Sequence, residues 1–132
     1  MKTKDVSMNI DKSSGIPVYV QFEEQIRLLI KRGILTNGDA LPTVRSLAVE
    51  LGINANTVAR AYRDLQNQGV LRLERGVGTF VADTAGRPAE QSVFKVLEKK
   101  VGEVIRAAKE ANLTASEVSR FIELRWKEED HA

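Results

Sequence analysis

Asn54-Ala55-Asn56-Thr57-Val58-Ala59-Arg60-Ala61-Tyr62-Arg63-Asp64-Leu65-Gln66-Asn67-Gln68-Gly69 separates into two faces when it is wound as a helix. Val58, Ala61, Tyr62 and Leu65 recur at helical spacing and form one apolar stripe. Asn56, Arg60, Arg63 and Asn67 form a second stripe on the opposite side, with Asp64 lying off it. That second stripe carries two guanidinium forks, two carboxamides and no acid. Such side chains present the paired donors and acceptors that match guanine and adenine edges in the major groove. Asn54 suits the N-cap and Gly69 the C′ position, so both ends are marked. The pattern predicts a DNA recognition helix.

Immediately upstream, Leu41-Pro42-Thr43 opens another helix with Thr43 as its N-cap. Val44, Leu47, Ala48 and Leu51 face inward, and Arg45, Ser46 and Glu50 face outward. Gly52-Ile53 is a tight break before Asn54. Two short helices joined by a glycine-containing turn make a helix-turn-helix, although an ordinary helical hairpin has the same pattern. The segment after Gly69 separates the two. Val70-Leu71-Arg72-Leu73-Glu74 alternates like a half-buried strand, Arg75-Gly76-Val77-Gly78 is a loop, and Thr79-Phe80-Val81-Ala82 is a returning strand. A helix-turn-helix followed by such a hairpin is a winged helix. Gly76 and Gly78 allow the wing backbone to approach another surface closely. Arg75 at its tip suits a phosphate or minor-groove contact, and Arg72 a phosphate. A nucleotide-cradling loop is excluded, because a third glycine and a following helix are missing.

Further out, Pro17 begins a first helix whose stripe is Tyr19, Phe22, Ile26, Leu29 and Ile30, with Glu23, Glu24, Arg27 and Lys31 outside it. Gly33 and Thr36-Asn37-Gly38-Asp39 close that helix. Residues 1–15 are polar and charged, and are expected to be a flexible N-terminal arm. Residues 16–82 are then the winged helix-turn-helix domain and residues 83–90, with their glycine and proline, a linker. From Gln91 a long helix places Val93, Leu97, Val101, Val104, Ile105 and Ala108 on one face, and Asn112 stops it. Thr114-Ala115-Ser116-Glu117 has the form of a capping box ahead of a last helix carrying Val118, Phe121, Ile122 and Trp126. Two helices of about forty residues are too few to hold a core alone. Their stripe must therefore be buried, on the winged helix in a monomer or on a second copy in a dimer. A homodimer through residues 91–132 is expected, since a two-fold axis would match two-fold symmetric DNA.

Composition narrows the class. The chain has 132 residues, a net charge of +2 and an apolar fraction of 42%. That charge is too small to argue for nucleic acid by itself, so placement must carry the case. No apolar run approaches a membrane span and the start lacks a secretion signal, so no membrane partner and a cytoplasmic location are expected. The absence of cysteine excludes disulfides and thiolate metal sites. The sole histidine, His131, sits at the charged end, where a metal site with Glu128, Glu129 or Asp130 would have no supporting shell. No serine has a histidine partner, so no catalytic residues, metal or cofactor are expected and the chain is not read as an enzyme.

Leu41-Pro42-Thr43-Val44-Arg45-Ser46-Leu47-Ala48, Leu51-Gly52-Ile53, Thr57-Val58, the Leu65–Gly69 turn and Gly76-Val77-Gly78-Thr79-Phe80-Val81 resemble the GntR family of bacterial transcription regulators over about residues 17–82. Pro17-Val18-Tyr19, Asn54–Tyr62 and the two-helix ending resemble its YtrA-type branch. The resemblance implies a homodimeric winged-helix regulator, most often a repressor, frequently of an ABC-transporter operon. It implies a DNA contact for Arg45 and a wing at Gly76 and Gly78. Where many members carry arginine this chain has Ala55 and Ala59, which shifts expected base reading to Asn54, Asn56, Arg60 and Arg63. No residue identifies a small-molecule effector.

The expected fold is thus mainly α with a small β-hairpin wing. The expected partner is double-stranded DNA, contacted by Thr43, Arg45, Asn54, Asn56, Thr57, Arg60, Arg63, Arg75, Gly76 and Gly78. The competing reading is a winged helix used for protein contact without specific DNA binding. A steep fall of DNA affinity with salt separates the two.

Overall fold

The computed structural model describes residues 3–6, 8–86 and 91–131. It divides the chain into two compact units, Met1–Gln91 and Ser92–Ala132. The first is built on α1 (Val18–Lys31), α2 (Val44–Leu51) and α3 (Ala55–Asn67). Phe22, Ile26 and Ile30 of α1, Leu47 and Ala48 of α2, and Val58, Ala61, Tyr62 and Leu65 of α3 meet in one core. The helical spacing read from the sequence therefore places each stripe inward. Phe22 and Tyr62 lie with ring centroids 5.7 Å apart and tilted by 53°, an arrangement aromatic quadrupoles favour. The Tyr62 hydroxyl donates to the Pro42 carbonyl at 2.7 Å, which ties α3 to the segment that starts α2. Burial raises the Tyr62 phenol above its ordinary range, so this donor keeps its proton.

The turn between α2 and α3 depends on Gly52, whose φ of +65° is left-handed and ends α2. Thr43 caps α2 by accepting from the Ser46 N–H at 3.1 Å. Asn54 caps α3 by accepting from the Asn56 N–H at 2.7 Å. After Gly69, β2 (Leu71–Glu74) and β3 (Gly78–Val81) form the antiparallel wing, with Arg72 opposite Phe80 and Leu73 opposite Thr79. A further strand, β1 (Ala40–Leu41), pairs with the free side of β3, giving the order β1-β3-β2. The expected hairpin is thus a three-stranded sheet. Two residues are too short to carry a periodicity, so β1 left no signal in the sequence.

Three other expectations are corrected. Of the segment expected as a flexible arm, described residues within 3–6 and 8–15 pack on or bond to the rest of the first unit. Val6 is only 1% exposed, the Lys4 N–H donates to the Ala40 carbonyl at 2.8 Å, and Gln25 exchanges two hydrogen bonds with the Asn9 backbone. Gln21, buried on α1, accepts from the Asp11 N–H and donates to the Asp11 and Ile16 carbonyls. Buried amides need such partners, and here the arm supplies them. Leu73, expected to be half-buried by alternation, is 55% exposed, because the wing extends beyond the core at that point. Glu23, expected outside the stripe, is buried. Of the expected linker, Asp83–Gly86 is described: the Thr84 hydroxyl donates to the Gly69 carbonyl, and Ala85 packs on the core. Residues 87–90 lie outside the described residues.

The second unit contains α4 (Gln91–Glu110) and α5 (Ala115–Asp130). Asn112, at a φ of +59°, makes the reversal between them. The capping box forms as its spacing predicts. Thr114 Oγ1 accepts from the Glu117 N–H, and the Glu117 carboxylate accepts from the Thr114 N–H. Those bonds hold the Glu117 carboxyl below its ordinary range. Among the described residues of this unit, Ala108 is the buried apolar one. Val93, Leu97, Val101, Val104 and Ile105 of α4 and Phe121, Ile122 and Trp126 of α5 are exposed. Between the helices lies an apolar groove of about 400 Å³ lined by Val101, Val104, Ile105, Leu113, Val118 and Ile122 among others. No helix among the described residues is long and apolar enough to cross a membrane.

Candidate nucleic-acid interface

Burying Val58, Ala61, Tyr62 and Leu65 forces the opposite side of α3 outward. Asn56, Arg60, Arg63 and Asn67 are all exposed there, as are Asn54 and Ala55 at its start, while Thr57 and Ala59 are half-buried. Thr43 and Arg45 are exposed at the start of α2. Thr43 Oγ1 and Asn54 Oδ1 are each committed to a cap. Asn54 therefore keeps its amide NH2 for a partner, and Thr43 orients the first turn of α2, whose N–H groups and positive dipole end suit a phosphate. Arg45, Arg63 and Arg75 are exposed cations.

The wing adds a second element. Gly76 holds a φ of +76°, a conformation costly for any other residue. A Cβ there would meet nothing within 4 Å, so glycine is set by the turn's backbone, and the open side faces outward. Gly78, at a φ of +151°, begins β3. Arg72, expected to contact phosphate, is exposed but already engaged within the wing. Its guanidinium lies 5.0 Å from the Phe80 ring centroid and 3.4 Å from Glu74. Arg75 is the cation left at the tip.

Arg60 is less free than its exposure suggests. Its guanidinium carbon sits 3.8 Å from the centroid of the Tyr19 ring on α1, and its Nε lies 3.9 Å from Asp64 Oδ2. Asp64 in turn faces the buried Glu23, which pairs with Arg27 at 3.6 Å and accepts from Gln68. Arg27 also donates to the Gln68 amide oxygen. A chain of charges thus runs across α1 and α3 beneath the exposed face. Sequence reading placed Tyr19 in the core and Asp64 off the stripe. These two residues lie 41 and four positions from Arg60, and only the second spacing is a local signal. It also missed Lys12, whose ammonium donates to the Gly52 carbonyl at the α2–α3 turn.

Glu23 gives a pH signature. Burial, then the neighbouring Asp64 charge, raise its carboxyl above the ordinary value of 4.5, with Arg27 opposing them. A carboxyl raised in the folded state contributes stability at pH values below its unfolded pKa and loses it as pH rises through the folded one. The stability advantage of Glu23→Gln over the parent protein should therefore grow from pH 4.5 upward through the raised value and then level off. Urea midpoints of both proteins across that window measure it, and parallel curves would contradict the assignment.

A helix-turn-helix whose second helix turns a polar face outward, followed by a glycine-tipped antiparallel hairpin, defines a winged helix-turn-helix protein. The profile of the gntR family of bacterial regulatory proteins matches residues 18–81. The HTH-type transcriptional repressor YtrA of Bacillus subtilis is 30% identical over 115 residues, spanning 87% of this chain and 88% of that one. Among solved structures, YtrA from Sulfolobus acidocaldarius, a GntR-family transcription factor, superposes with a TM-score of 0.52 at 33% identity, covering 70% of this chain and 94% of that one. The DNA-binding domain of AraR, in complex with operator ORX1, superposes with a TM-score of 0.50 at 31% identity, covering 62% of this chain and all of that one. The chain belongs to the GntR family of bacterial transcriptional regulators.

Proposed function

We propose that two copies of this chain bind a two-fold symmetric operator and repress transcription, with residues 91–132 forming the dimer. The observation that carries the reading is the exposed Asn56, Arg60, Arg63 and Asn67 face of α3, flanked by the exposed Arg45 and Arg75. Asn54, Asn56, Arg60 and Arg63 read base edges, while Thr43 and Thr57, at the starts of α2 and α3, contact the duplex beside them. Arg45, Arg75 and the wing backbone at Gly76 and Gly78 hold phosphates or the minor groove. The AraR domain in its operator complex supports DNA as the partner of this fold. Likeness over most of the chain to a transcriptional repressor supports repression, and the resemblance to the YtrA-type branch extends the proposal to a transporter operon, regulated in the cytoplasm. Two α3 helices then enter major grooves about 34 Å apart, or a multiple of that.

Selection of bound fragments from random duplex, followed by footprinting, tests this by returning half-site sequence, spacing and symmetry together. On the selected duplex, Arg60→Ala should cost about 1–3 kcal/mol and relax preference at one base pair per half-site. No enrichment of any sequence, with no retention on duplex at low salt, would favour the protein-contact reading instead.

A further inference from the structure

We infer that Tyr19 of α1, with Asp64 of α3, is a positioning residue for base recognition: the two hold Arg60 in the pose in which it forks a guanine. The inference rests on the proposed role of Arg60. Three observations support it. The Tyr19 ring lies under one face of the guanidinium, 3.8 Å from centroid to carbon. Asp64 Oδ2 takes the Nε side at 3.9 Å. Among the described residues, no contact engages the two terminal nitrogens, so the end-on fork is left for a partner.

A guanidinium has three ways to meet other groups: its two faces, its Nε side and its terminal fork. Here the Tyr19 ring lies against the guanidinium and the Asp64 carboxylate lies on the Nε side at ion-pair distance, which leaves the fork that matches guanine O6 and N7. An arginine that swings freely must lose that freedom when it enters a groove, and pre-ordering it removes part of the cost. An exposed cation–π contact biases such a pose by about 2- to 5-fold, and an exposed ion pair by a similar or smaller factor. Together they set an expected discrimination effect of about 3- to 10-fold. The two supports are themselves anchored. Tyr19 leaves one helical turn before the buried Phe22 and Glu23, and Asp64 faces Glu23 from α3. Helix α1, which lies outside the helix-turn-helix, would thereby take part in choosing a base.

The test uses the full chain, the duplex recovered by random-sequence selection, a set of duplexes carrying each single base-pair change in both half-sites, and a scrambled duplex. Arg60→Ala identifies the base pair that Arg60 reads. Tyr19→Leu should lower discrimination at that same pair by about 3- to 10-fold and leave affinity for scrambled duplex unchanged, whereas Tyr19→Phe keeps the ring and should restore discrimination. Asp64→Asn should tighten binding to both duplexes, by removing a carboxylate near phosphates, yet reduce their ratio at that pair. If Arg60→Ala flattens one pair while Tyr19→Leu and Asp64→Asn keep its full preference, the positioning role fails and the base-reading role stands. If Tyr19→Leu weakens selected and scrambled duplexes equally, Tyr19 is structural only and the inference is overturned. If Arg60→Ala changes no pair, the base-reading role fails and the inference goes with it.

Discussion

Ile105→Asp should convert the proposed dimer to a monomer and weaken binding to the selected operator by about 100- to 10,000-fold. Ile105 stands 45% exposed on α4, within the apolar groove shared with α5. Val101 and Val104 flank it, while Leu113, Val118 and Ile122 form the rest of the wall. An exposed apolar surface this continuous is unusual unless something covers it. Under a two-fold axis each substitution enters the interface twice, and a carboxylate moved into apolar surroundings without a partner costs several kcal/mol. The DNA effect follows from linkage. Once one half of a dimer is bound, the other half binds at an effective concentration in the millimolar range, which contributes about 10²- to 10⁴-fold to avidity. Removing the link should forfeit that factor while binding to scrambled duplex falls far less. Sedimentation equilibrium and operator titration measure the two effects, and circular dichroism confirms that α4 and α5 remain helical. A variant that stays dimeric with undiminished operator affinity would place the dimer contact elsewhere.

The contrast between what could be read in advance and what could not follows the range of each interaction. Both faces of α3 were legible because helical spacing alone sorts Val58, Ala61, Tyr62 and Leu65 from Asn56, Arg60, Arg63 and Asn67. The caps at Thr43, Asn54 and Thr114 were legible because each bond closes within three residues. The wing strands showed as two short runs about a Gly-Val-Gly turn. Leu73 shows the limit of that reading: alternation assigns a side chain to a face, but burial needs side chains packed over it, and Leu73 stays 55% exposed. The arm was misread because Val6, Lys4 and Asn9 have no pattern of their own. Their partners, Ala40 and Gln25, are 36 and 16 residues away. The charged chain beneath the candidate interface was hidden for the same reason. Glu23 meets Gln68 across 45 residues, and Tyr19 meets Arg60 only because α1 and α3 pack together. Local chemistry marked the reading face, and tertiary packing supplied what steadies it.

That packing is tested most severely at Phe22. Phe22→Ala should destabilise the first unit by about 3–5 kcal/mol, in the range for removing a buried ring. The side chain is fully buried, and it fills the junction where α1 meets α3 through Tyr62, with Ile26 and Leu65 also in that core. A methyl group in its place leaves a cavity that helices held by Ile26, Val58 and Leu65 can close only in part. The tilted contact with Tyr62 adds about 0.5–1.5 kcal/mol beyond area burial, and it is lost as well. Domains of this size are stable by about 5–15 kcal/mol, so the loss is a large share of the total. Urea unfolding should show a lower midpoint with an unchanged slope, the mark of reduced stability without a change in the surface exposed. A loss below about 1 kcal/mol would mean that α1 and α3 can close the gap. Tyr19 and Glu23 sit on the same helix to either side of Phe22, so such closure would also move the ring that carries Arg60. The stability of this junction and the discrimination of the α3 face are therefore coupled through one helix.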